Sequence, residues 1–401
     1  MTTADLHDRR GLRTWFETTS GILAMLLAVQ FLTGILLAFY YVPSVDHAYT
    51  TVQYIEKDLS SGAWIRALHH YGSQWLALFA FLHVVRLFFT AAYVDRNKQW
   101  IASIILLGLV MAAGGTGYSL PWDARAFFST RIAEGLMGGL PLVGRMARLW
   151  LLGGSDISTI TLSRFFAMHL LVIPGLIVGV MVWRRLSFID LPRNTIAAGV
   201  VFLVLALWSL KFHAPLGPST TEMTADYLPR PGAQFLWLYQ SLKYVPGGLG
   251  SIIGLILPGL ALALLIALRW MRRARLIGGV ILGIAALLIV GMTTAAYISD
   301  YKNPRMREQV ARESTQQPAP VLYIKWCSNC HGRNGEGAQQ GQLKFPPLRG
   351  VAAKSQRTVD DIVGLLKNPE AYGLQPPMRS FSEKLTEPQM KEIAEWVHGL
   401  R

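Results

Sequence analysis

Long apolar runs separated by short polar stretches dominate the first three quarters of the chain. Seven runs have the length and apolarity of membrane-crossing helices, which need about 20 residues to traverse a hydrocarbon core of about 30 Å. They cover approximately residues 20–41, 67–89, 100–120, 165–183, 195–210, 250–268 and 276–296. Beyond them the pattern changes. Residues 299–318 are polar, charged and rich in Gln and Pro, as a tether would be. The remainder mixes polar and apolar residues like a small soluble domain and closes on an amphipathic helix over 387–400. The expected fold is all-α, a bundle of about seven transmembrane helices followed by a small soluble α-helical domain.

Charge placement gives that bundle a direction. Arg9, Arg10 and Arg13 precede the first run, and Arg96 and Lys98 separate the second from the third. Arg184, Arg185 and Arg193 separate the fourth from the fifth, and Arg269, Arg272, Arg273 and Arg275 the sixth from the seventh. These are alternate loops, so the positive-inside rule puts the N-terminus in the cytoplasm and seven crossings put the C-terminal domain outside. The polar start, Met1–Arg13, and a first run long enough to span do not read as a cleavable signal peptide. Of 401 residues 52% are hydrophobic and only 15% charged, which suits a multi-pass membrane protein. The net charge of +14 sits at the ends of apolar runs and forms no stripe, so no nucleic-acid partner is expected.

The second run carries His69 and His83, fourteen residues apart. That spacing falls about 40° short of four helical turns and covers about 21 Å of axis, so both imidazoles leave nearly one face at two depths. Histidines inside a bilayer point to function, and two haems stacked across the membrane would use this arrangement; core histidines with hydrogen-bond partners are the plain alternative. Arg66 and Arg86, each three residues from a histidine, are cations of the kind that haem propionates favour.

The two cysteines are Cys327 and Cys330, followed by His331. A CxxCH motif attaches haem c through two thioethers with the histidine as iron ligand. A redox CxxC or half of a zinc site is the alternative, but no second cysteine pair exists. Met378, in the Pro-rich stretch Gln375-Pro376-Pro377-Met378, is the candidate sixth ligand, and His/Met ligation raises the potential. Met390 reads as packing, and His398 is a weaker rival.

Several collinear motifs resemble the cytochrome b of cytochrome bc complexes. They are Gln30-Phe31-Leu32-Thr33-Gly34, Trp64-Ile65-Arg66 with His69, His83-Val84-Val85-Arg86, Gly117-Tyr118-Ser119-Leu120-Pro121-Trp122 and Leu162-Ser163-Arg164-Phe165-Phe166-Ala167-Met168-His169. The resemblance implies a haem-binding four-helix half over 1–190, a degenerate C-terminal three-helix half over 191–298, the linker over 299–318, and a class I cytochrome c domain over 319–401. It implies one outer-side haem b held by His69 and His169, with Gly34 and Gly117 as clearances and Arg66 as a propionate partner. Quinone or quinol, other redox subunits, a soluble extracytoplasmic electron carrier and a homodimer or larger complex would follow, in a bacterial cytoplasmic membrane.

The inner-side haem is a different matter. His83 and Arg86 match, but fourteen residues after His169 stands Trp183, and the inner glycine positions are Ser20 (beside Gly21) and Ser103. Indole does not ligate iron, and a Cβ at a clearance position pushes a ring away. The expectation is that this haem is absent or held by His83 alone. The family's Pro-Glu-Trp-Tyr quinol signature also reads Pro231-Gly232-Ala233-Gln234, without a titratable group. Glu222 and Asp226 are conceivable stand-ins, more simply solvated. The changed signature speaks against both a Q-cycle and a Rieske-type partner. Three functions remain: an electron-transfer subunit using one haem b and a tethered haem c, a quinol:cytochrome c oxidoreductase with unusual replacements, and a mainly structural anchor for a periplasmic redox enzyme. The first is preferred.

Overall fold

The structure is a computed structural model. It describes residues 3–183, 191–220, 227–307, 309, 321–332, 335–340, 343–350, 355–373, 378 and 380–400, with side chains from 19 onward in the first helix and from 196 onward after 191. The chain forms two compact units, the first ending at Arg307 and the second taking the described residues from 309 onward.

The first unit is helical throughout. Its elements are α1 (Thr3–Ala38), α2 (Ala48–Lys57), α3 (Gly62–Phe89), α4 (Ala92–Asp95), α5 (Asn97–Tyr118), α6 (Ala124–Gly138) and α7 (Gly144–Leu152). Then α8 (Thr159–Ala167) runs through a π turn (Met168–Val172) into α9 (Ile173–Trp183), followed by α10 (Leu191–Lys211), α11 (Leu236–Leu242), α12 (Leu257–Ala267) and α13 (Ala274–Lys302). Among the described residues, six helical stretches are long and apolar enough to cross a membrane: Thr19–Ala38, Gly62–Phe89, Asn97–Tyr118, Thr159–Trp183, Gly247–Trp270 and Ala274–Lys302.

The seventh expected segment is α10, whose described apolar part, Ile196–Lys211, is shorter. The whole helix has 21 residues, about 31 Å of rise. Ile196, Val200, Leu203, Leu207 and Leu210 form an exposed stripe, while Ala198, Leu205 and Ser209 are buried. Just beyond its C-terminal end, the Ala214 and Pro215 carbonyls accept from Arg66 at the start of α3. Leu205 of this helix packs in the mid-bundle cluster with Leu26 of α1 and Leu76 of α3.

Packing explains why the bundle holds together without a wet surface. Leu26, Leu68, Leu76, Val110, Ile173 and Leu205 interlock α1, α3, α5, α9 and α10 at mid-depth. Toward the far end of α3 a second cluster gathers Val84, Leu87, Phe88, Trp100, Ile104 and Leu265. Trp100 is fully buried there, and its indole N–H donates to the Leu265 carbonyl at 2.7 Å, so its one polar atom is satisfied. The outward positions, including Leu32, Leu78, Leu171, Leu176, Leu287 and Val290, stay exposed. So much exposed apolar surface fits lipid and would drive association in water. The protein is a multi-pass membrane protein.

The second unit has α14 (Val321–Trp326), α15 (Ser328–His331), an antiparallel pair β1 (Ala338–Gln340) and β2 (Leu343–Phe345), α16 (Val359–Lys367) and α17 (Glu387–His398). Capping boxes, Thr358 with Asp361 and Thr386 with Gln389, start α16 and α17. Their inner faces, Ile362, Val363 and Leu366 against Ile393, Ala394, Trp396 and Val397, close over Tyr323. The all-α expectation is met, with this short β-pair as an addition. It follows Gly335 and Gly337, whose positive φ values of 70° and 85° bend the chain as few other residues can.

Candidate functional site: two haem pockets

Helices α1, α3, α5 and α8–α9 surround a cavity of about 320 Å³. Its walls include Gly34, Arg66, His69, Gly117 and His169, so the fold brings all five residues assigned to the outer site into one place. The imidazoles of His69 and His169 face each other with centroids 6.0 Å apart and planes at 79°. Two metal–imidazole bonds of about 2 Å, plus about 1.1 Å from each nitrogen to its ring centre, also sum to about 6 Å. The pair fits one iron between them.

The tautomers fit as well. The Thr33 hydroxyl donates to the Val29 carbonyl at 2.6 Å and lies 2.9 Å from His69 Nδ1, so it accepts from that nitrogen. His169 Nδ1 lies 3.0 Å from the Ala113 carbonyl, which can only accept, and 3.4 Å from the Thr116 hydroxyl. Both Nδ1 atoms are therefore donors, and both Nε2 atoms are left with a lone pair. Partners on Nδ1 are what orient an imidazole for a metal and raise its basicity.

The glycines act on the histidines themselves. A Cβ on Gly117 would lie 2.5 Å from His169 Cε1, and one on Gly34 would lie 3.1 Å from His69 Cε1. Each imidazole thus rests on bare backbone, and a side chain at either position would displace a ring.

Arg66 lines the cavity, but its guanidinium is engaged. Nη1 donates to Glu56 at 2.7 Å and to the Ala214 carbonyl at 2.8 Å, and Nη2 to the Pro215 carbonyl at 2.9 Å. Sequence reasoning gave no role to Thr33, Thr116, His70, Arg125 or Gln30, all of which belong to this site or its supports. For Thr33 a signal existed, since a threonine in an apolar helix usually bonds back to the carbonyl four residues earlier, leaving its lone pairs available.

At the other end of α3, His83 is buried and its Nδ1 lies 2.9 Å from Thr19, whose hydroxyl accepts from Arg86 at 2.7 Å. Ser103 is buried with its hydroxyl turned back to the Gln99 carbonyl. Trp183 is 49% exposed. The π turn explains that direction. Ile173 N–H bonds to the carbonyl of Met168, five residues back, and Pro174 has no N–H to give. One π turn adds one residue, so position 183 no longer shares the face of His169. Residues 184–190 lie outside the described set, and their sequence holds no histidine, nor is Trp183 one.

In the second unit, Cys327 is buried against Tyr323 and Cys330 is partly exposed, and the two are not joined in a disulfide. The tight turn Cys330 N–H to Cys327 carbonyl, followed by His331 N–H to the same carbonyl, presents the two thiols and the imidazole together. His331 Nδ1 lies 3.1 Å from the Pro346 carbonyl, again fixing Nδ1 as donor and freeing Nε2. Burial, then the neighbouring Cys330, pushes the Cys327 thiol up to about 12. That setting suits a thiol consumed in a thioether better than a reactive thiolate. Among the described residues no three His, Cys, Asp or Glu side chains converge as a metal site, so a zinc reading lacks its further ligands. Met378 packs partly buried against the core beside Phe381, Met390 lies within that core, and His398 is exposed. Residues 374–377 lie outside the described set.

Comparison with known proteins decides the family. The model of cytochrome b/b6/petB matches residues 4–190, and that of cytochrome c matches residues 317–401. The cytochrome b subunit of the menaquinol:cytochrome c reductase of Geobacillus thermodenitrificans is 34% identical over 163 residues, 40% of this chain and 73% of that protein. The chain belongs to the cytochrome b family. Cytochrome b6 of Mastigocladus laminosus is 36% identical over 183 residues, 45% of this chain and 84% of that one. A chain of a hyperthermophilic respiratory complex III shares the fold, with TM-score 0.51 and 17% identity over 71% of this chain and 91% of that one. Fused to the cytochrome b part is a cytochrome c domain. Membership of these two families implies haem b in the first unit and haem c in the second.

Within this cytochrome b the replaced quinol signature packs closely. A Cβ on Gly232 would lie 3.1 Å from the Tyr118 ring, whose hydroxyl donates to the Arg230 carbonyl at 3.2 Å. Gln234 lines the same cavity, and both its Oε1 and Gln30 Nε2 are buried there without a hydrogen-bond partner. Orphaned amide atoms on a cavity wall suit a bound group with polar edges. Glu222 and Asp226 lie outside the described residues.

Proposed function

We propose that the chain is a membrane electron-transfer subunit linking the quinone pool, or a partner redox subunit, to a soluble extracytoplasmic acceptor. His69 and His169 would hold one haem b. Cys327 and Cys330 would tether a haem c with His331 and Met378 as its axial pair. Each haem supplies a one-electron iron couple. The protein's part is to fix the ligands: Thr33 and the Ala113 carbonyl hold two Nδ1 protons, and Gly34 and Gly117 give the rings their places. The observation that carries this reading is the pair of imidazoles 6.0 Å apart in the cavity, each with Nε2 free.

A conventional Q-cycle needs an inner haem and a titratable quinol group. Here His83 faces Thr19, Trp183 is turned out, and Gly232 replaces the glutamate. The proposed subunit holds one haem b, on the face that carries α2 and α7. The loop arginines favour that face as the outer one of a bacterial cytoplasmic membrane. Other redox subunits and a homodimer are natural partners for such a chain.

Rapid mixing tests the route. The reduced protein, mixed with an oxidised soluble cytochrome c, should show haem c oxidation followed by haem b oxidation. His169→Ala should lose the haem b phase alone. Retention of the haem b phase in His169→Ala would overturn the ligand assignment, and a wild-type haem b that stays reduced would remove haem b from the route. The second reading, quinol:cytochrome c oxidoreductase, is favoured by the unpaired Gln30 and Gln234 amides in the cavity. Quinol oxidation blocked by outer-site inhibitors would establish it.

A further inference from the structure

Glu56 is a buried carboxylate that the electron route leaves unused. Its side chain is 9% exposed on α2, and it accepts from Arg66 Nη1 at 2.7 Å and from His213 Nδ1 at 2.9 Å. Arg66 forms part of the cavity wall, whereas the His213 side chain is 68% exposed. Three side chains thus join the cavity wall to the surface. The chain is held from several sides: Arg66 is fixed by two further carbonyls, and the Tyr71 hydroxyl donates to the His213 carbonyl at 2.9 Å. A surface histidine needs no such buried partner, and a carboxylate is costly to bury unless paired.

We infer that Glu56 and His213 are a proton-exchange pair that couples the redox state of the cavity to the adjacent aqueous phase. The inference rests on the reading that His69 and His169 hold a haem. An electron entering the cavity lowers its net charge by one, and in a low-dielectric surround nearby titratable groups then gain proton affinity. The balance is one electron in from a one-electron donor, a mediator dye in the test, and one proton in from water at His213. When the electron leaves, the proton returns to water. The charged and titratable groups facing the pair are Arg66 and Tyr71 from α3; Lys57 follows Glu56 in the chain, Lys211 lies two residues before His213, and His70 and Arg125 stand on the cavity side. His70 is bonded to Gln74 at 3.0 Å and has no exposed partner comparable to His213.

The test is the midpoint potential of haem b in the purified full-length protein, titrated with mediators from pH 5 to 8, where histidine changes charge. The wild-type potential should fall as pH rises, toward the one-proton limit of about 59 mV per tenfold change in proton activity. His213→Gln and Glu56→Gln should each flatten that slope, while His47→Gln, at an exposed position before α2, keeps it. Should Glu56→Gln fail to fold, the surface variant His213→Gln carries the test. A pH-independent wild type, or a His213→Gln protein with the wild-type slope, overturns the inference and leaves the ligand assignment standing. A protein lacking haem b overturns the ligand assignment itself.

Discussion

The two ends of α3 begin from the same parts. His69 faces Thr33 and His83 faces Thr19, each at 2.9 Å, and both pairs are separated by fourteen residues along their helices. At one end a second imidazole completes the site 6.0 Å away, and bare glycine backbone supports both rings. At the other, the fourth helix offers an outward-facing Trp183, and serines replace the glycines. A histidine with its supporting hydroxyl is thus half a site. What makes a haem pocket is the convergence of a second ligand and the removal of Cβ atoms, both supplied by other helices.

The largest effect that separates the two ends is ligand removal. His69→Ala or His169→Ala should abolish haem b, read from the reduced spectrum, while His83→Ala leaves the content unchanged; a His83→Ala protein with half the haem b would break the comparison. Next comes clearance. Gly117→Val should prevent nearly all haem b incorporation because its Cβ would lie 2.5 Å from the His169 ring, and Gly34→Ala, at 3.1 Å, should cost less. Ser103→Val should cost none.

Support for the ring nitrogens ranks third. Thr33→Val removes the acceptor for His69 Nδ1 and should weaken haem b retention about tenfold, measured by transfer to apomyoglobin, as losses of such partners do at metal sites. Thr19→Val should not alter it. The smallest effect sharpens the register argument: Trp183→His should add no haem b, because the π turn has taken position 183 off the face of His169. A gain of a second haem b in that variant would show that 183 still faces His83.

Much of this was readable from sequence. The apolar run over 67–89 falls within α3 and that over 100–120 covers most of α5, because long periodicity and membrane length act together; residues 62–66 and the polar 97–99 precede the runs. The run at 20–41 instead continues a helix that starts at Thr3, since a polar stretch can extend a helix without any apolar signal. The fourteen-residue spacing pointed to His69 and His83, and the resemblance to cytochrome b implied His169, Gly34 and Gly117; the fold gathers His69, His169, Gly34 and Gly117 around one cavity. At the join of α8 and α9, Pro174 removes a donor and a π turn absorbs it, which a count at constant pitch does not register. The Glu56–Arg66–His213 line was invisible because its members come from α2, α3 and the stretch after α10. In the sequence they are an ordinary loop carboxylate, a helix arginine and a surface histidine.

The ratio of haem b to haem c in the purified protein, from its reduced pyridine haemochrome spectrum, tests the central claim most directly. One haem b between His69 and His169 and one haem c on Cys327 and Cys330 predict a ratio near one to one. A ratio near two to one would mean that His83 holds a haem after all, and would contradict the contrast between the two ends of α3.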